Sequence, residues 1–78
     1  MSYPPRTIDA AETLLKSQGW SVGDMSFVEN GRQCWAVHCH RGHEWRNVFA
    51  DTQLEAWQRA VERCYGNATR NADAEKNQ

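Results

Sequence analysis

The chain lacks most of what would declare a function outright. No apolar run approaches the length needed to cross a bilayer, and the opening "MSYPPRTIDA" has no signal-peptide core, so the expectation is a cytoplasmic protein without a membrane segment. Charge of neither sign dominates: nine Lys and Arg stand against ten Asp and Glu, for a formal net charge of −1. That balance is not the one expected of a protein that grips phosphates by counterion release. Cysteine is sparse and odd in number, three in all, with no Cys-x-x-Cys pair. This argues against a disulfide framework and against a compact structural zinc site, and it suits reduced core thiols. A glycine-rich phosphate loop, a nucleophile elbow and a paired-carboxylate cleft are all missing, and no internal repeat is visible. The expectation is a non-enzymatic protein with no cofactor.

What is present suits a single small domain. The 78 residues are 40% hydrophobic and include four Trp. Large aromatics supply buried area that a chain near the lower size limit otherwise lacks.

Helical spacing opens the chain. Ile8, Ala11, Leu14 and Leu15 share a face, which predicts a helix from Thr7 or Asp9 to Gln18. Asp9 and Glu12 resemble a capping box, with Thr7 as the competing cap, and Pro4 and Pro5 keep the helix from starting earlier. Gly19 suits the left-handed position after the last turn, where Trp20 can fold back.

From Asp24 to Asp51 the period becomes two. "MSFVE", "QCWAVHC" and "EWRNVFA" are strand-like runs separated by "NG" and "RGH". Two hairpin registers are open. A two-residue Asn30-Gly31 turn pairs Phe27 with Cys34. A three-residue Glu-Asn-Gly loop with a bulge, followed by an Arg-Gly-His loop, gathers Met25, Phe27, Trp35, Val37, Cys39, Trp45 and Phe49 on one side. One-sided burial of the large residues favours the second.

The last helix begins at "DTQLEAWQRAVERCYG", with Thr52 and Glu55 at capping-box spacing and Leu54, Trp57, Val61 and Cys64 on one stripe. Gly66 ends it. "NATRNADAEKNQ" has no large apolar residue and reads as a disordered tail over 67–78 beyond a domain of 1–66. The fold class is therefore α+β. A three-stranded antiparallel meander carries an N-terminal and a C-terminal helix on one face, in the order α-β-β-β-α.

The opposite sheet face is the candidate working surface. In the favoured register it carries Val28, Ala36, His38, His40, Arg46 and Val48, together with Cys34 and Glu44. The stretch "AVHCHRGHEWR" holds all three His of the chain. His38 and His40, two apart on a strand, are a usable imidazole pair, and Glu44 or His43 could add a third ligand. Cys39 faces the other way, however, so no metal site is expected. A catalytic Cys–His dyad is not expected either, because Cys34 lies too far from a same-strand His. What remains is a part-apolar, part-basic docking surface for a protein partner, a second copy of the chain among the candidates.

Two families share features with these residues. The α-β-β-β-α order over Thr7 to Gly66 resembles the double-stranded RNA-binding domain. The stretch matching that family's phosphate-gripping helix, "ADTQLEAWQRAVERC", carries Asp51 and Glu55 and no Lys, and the first hairpin loop is cut to "ENG". That resemblance implies at most a degenerate nucleic-acid binder using Arg46, Arg59, Arg63 and Arg70. "RTIDAAETLL", "CWAVHCHRGHEW" and "FADTQLEAWQRAV" are similar to small phage and prophage sandwich domains. This second resemblance implies an accessory protein of a mobile element that occupies a host protein, defence complexes included.

Overall fold

The structure is a computed structural model that describes residues 5–66. The expected tail over 67–78 lies outside the described residues. The order is α1 (Ile8–Ser17), β1 (Ser21–Glu29), β2 (Arg32–Arg41), β3 (Glu44–Ala50) and α2 (Gln53–Val61), closed by a π-helical turn at Glu62–Gly66.

Thr7, not Asp9, caps α1: its Oγ1 accepts from the Ala10 N–H at 3.1 Å. A hydroxyl in an extended N-cap residue satisfies one of the amides that the first turn leaves without a partner. At the other end Gly19 takes a positive φ of 88°. Trp20 N–H then donates to Leu15 O and Gly19 N–H to Lys16 O, a Schellman ending that delivers Trp20 into the core. Thr52 caps α2 in the same way as Thr7, with Oγ1 accepting from Glu55 N–H at 3.2 Å.

The sheet is an antiparallel meander in the order β1-β2-β3. Both helices lie on one side of it. Ala11 and Leu15 of α1 and Ala56, Trp57, Ala60 and Val61 of α2 share a single buried cluster with Val37, Cys39, Val48 and Ala50 of the sheet. Trp35 packs half-buried against that cluster. Tyr65 donates its hydroxyl to Leu14 O at 2.9 Å and ties the final turn to α1.

The register differs from the favoured expectation at both hairpins. Phe27 pairs with Cys34 and Glu29 with Arg32, which leaves a two-residue Asn30-Gly31 turn. Both residues have positive φ, 55° and 78°, the signature of a type I′ turn whose twist matches that of the strands. At the second hairpin Arg41 pairs with Glu44, so only Gly42-His43 connects the strands, and Gly42 has a φ of 60°. This fits a type II′ turn with glycine in first place. Each loop is one residue shorter than expected, and with a period of two that slip turns every side chain of the outer strands over. β2 keeps its expected orientation, whereas β1 and β3 are reversed.

Candidate functional site

The strand pairing orders the open face into rows. Nearest the second hairpin lie Ser21, His40 and Trp45, and next to them Gly23, His38 and Asn47. Met25, Ala36 and Phe49 follow, then Phe27 with Cys34, and finally Glu29 with Arg32 beside the first hairpin. No described helix covers these rows.

Three of the expected site residues, Ala36, His38 and His40, are on this face. The other three are not, because the reversal of β1 and β3 carries them to the helix side. Val48 is a buried core residue. Arg46 lies partly buried with its guanidinium 5.8 Å from the Trp20 ring centroid, and its Nε is buried without an acceptor among the described residues. Val28 shares that side but is 73% exposed. Glu44, also expected on the open face, goes with them and pairs with Arg41 at 2.9 Å.

The same reversal exposes residues that the favoured register buries. Trp45 is 61% exposed, Phe49 57% and Met25 54%. Single exposed apolar residues are ordinary, but three on one face, joined by half-buried Phe27, form a patch. The signal for it was in the turns: Asn-Gly and Gly-His are both suited to two-residue loops.

The patch is ordered internally. Phe27 and Phe49 meet edge to face with centroids 6.2 Å apart, and His40 stacks on Trp45 at 4.6 Å with 21° between the planes. Gly23 leaves room for the His38 ring, since a β-carbon there would stand 2.8 Å from His38 Nε2. At the far end Phe27, Cys34, Phe49, Asp51 and Arg59 line an open hollow of about 480 Å³. An ion pair, Arg32 to Asp51 at 3.4 Å, lies beside it.

On the helix side, polar contacts tie the sheet to α2. Asp24 accepts from Gln53 Nε2 at 2.8 Å and from the Trp57 indole at 3.0 Å. These bonds, the Gln53 one foremost, hold its carboxyl below the ordinary value despite some loss of hydration. Cys39 is buried beside Cys64, and hydrogen bonding to that thiol together with burial holds Cys39 protonated. Among the described residues no group of three or more His, Cys, Asp or Glu converges as a metal site would require. No helix of the described residues is long and apolar enough to cross a membrane.

Comparison with protein-family models, with curated proteins and with solved structures gave no significant match.

Proposed function

We propose that this is a non-enzymatic protein-interaction module that works through its open sheet face. The observation that carries the reading is the exposure of Trp45, Phe49 and Met25 on one side of the sheet, flanked by His38, His40, Glu29 and Arg32. An apolar centre with a polar margin is the anatomy of a protein contact, and large aromatics are its usual energetic anchors. The contact groups stand on strands, and Trp45 is braced by His40, so little side-chain freedom is lost on binding. The likeness to phage sandwich domains makes a host protein the class of partner it suggests.

A degenerate duplex-RNA binder has less in its favour. Arg59 is engaged by Glu55 at 3.1 Å and by the Phe49 carbonyl, and Arg46 lies beside Trp20. Arg70 lies outside the described residues.

The test is affinity capture of cellular partners by wild type, Phe49→Asp, Met25→Asp and Arg63→Glu. The expected result is a partner retained by wild type and Arg63→Glu and lost by both face variants. Salt-resistant binding to duplex RNA that Arg63→Glu abolishes and Phe49→Asp leaves intact overturns the reading.

A further inference from the structure

The open face carries a knob and a socket at opposite ends of one strand. Trp45 at the start of β3 is the knob, 61% exposed and held upright against His40. The socket is the hollow of about 480 Å³ at the end of the same strand, floored by Phe27, Cys34 and Phe49. It is roomier than one indole ring. Asp51 and Glu29 at its lining can accept from an indole N–H.

We propose that this face pairs with a second copy of the same chain, Trp45 of each copy seating in the hollow of the other. The proposal rests on the reading of the open face as the working surface, and it names the occupant. A two-fold axis lying across the strands stacks β3 on β3 in the reverse direction. Such an axis exchanges features equally distant from it along that strand. Trp45 and Phe49 in the hollow are four residues apart, roughly 13 Å at strand rise, and Asn47 lies at the midpoint. One rotation about Asn47 therefore seats both knobs at once, as an isologous contact requires. The centre allows close approach: Asn47 is small, and His38 lies over side-chain-less Gly23.

Charge and size agree. With a net charge of −1 per chain, two copies repel each other little. Three strands of seven to ten residues present a surface of roughly 14 by 30 Å in plan, smaller than a standard specific interface and of the size of a weak one. The dimer is therefore expected to form in the micromolar range.

Sedimentation of the full chain across micromolar concentrations tests this. Wild type and Arg63→Glu are expected to pass from monomer to dimer. Trp45→Ala, at an exposed position, is expected to remain monomeric and folded, with a melting temperature that, unlike that of wild type, does not rise with protein concentration. A wild type that stays monomeric throughout, or a dimer that survives Trp45→Ala, overturns self-pairing. In either of those cases, loss of a cellular partner on Phe49→Asp would still uphold the open face as an interaction surface, so the two failures can be told apart.

Discussion

The Trp57 indole N–H donates to Asp24 Oδ2 at 3.0 Å, joining the middle of α2 to the edge strand β1. Gln53 Nε2 reaches the same oxygen at 2.8 Å, so one carboxylate holds two successive turns of the helix. Removing it with Asp24→Ala should cost about 1–2 kcal/mol at neutral pH, because both donors lose a charged acceptor and Asp24 is itself exposed. The pH dependence has a definite sign. The folded-state pKa is depressed, so the contribution is complete above the ordinary value of 3.8 and fades as pH falls through the lower folded value. Urea midpoints of wild type and Asp24→Ala should differ at pH 7 and converge below pH 3.8. Trp57→Ala, which also empties a core position, should cost about 3–5 kcal/mol. Half-buried Trp35 should cost less when replaced by Ala.

Adjacent residues on β3 should respond in opposite ways to the same charge. Val48 is 7% exposed beneath the helices and Phe49 is 57% exposed on the far side. Val48→Asp buries a carboxylate with no partner and should unfold the domain, at a cost on the order of 3–5 kcal/mol. Phe49→Asp should cost about 1 kcal/mol, mostly its contact with Phe27. Circular dichroism melts of the two variants decide. A folded Val48→Asp beside an unfolded Phe49→Asp would restore the register with longer loops.

The three thiols should separate by access. Cys34 is half-buried on the open face, whereas Cys39 and Cys64 are buried between sheet and helix. Brief alkylation of the native protein should therefore label Cys34 alone, and the other two only in urea. Peptide mass spectrometry reads the order directly. Native labelling of Cys64 ahead of Cys34 would mean that the π-helical turn opens more readily than its tie from Tyr65 to Leu14 implies.

Local chemistry was enough to lay down the elements and the helix starts, though β1 begins at Ser21, ahead of Asp24, and the last helix changes to a π-helical turn after Val61. Thr7 and Thr52 each cap by a hydroxyl that reaches three residues forward, and Gly19 takes a backbone angle that other residues rarely adopt. Two one-sided helices around a short meander leave one way to bury both stripes, so the α-β-β-β-α layering was legible as well. The facing of the outer strands was not. Hydrophobicity favours putting Met25, Phe27, Trp45 and Phe49 inward, and the pattern of β1 and β3 alone does not contradict it. Tertiary volume decides against it. The helices bring Leu15 and Trp57 to the core, the turn after α1 brings Trp20, and the sheet meets them with the smaller Val37, Cys39, Val48 and Ala50. Two tight turns then set the register, and because strand side chains alternate, a change of one residue in each loop moved the aromatics from the core to the open face.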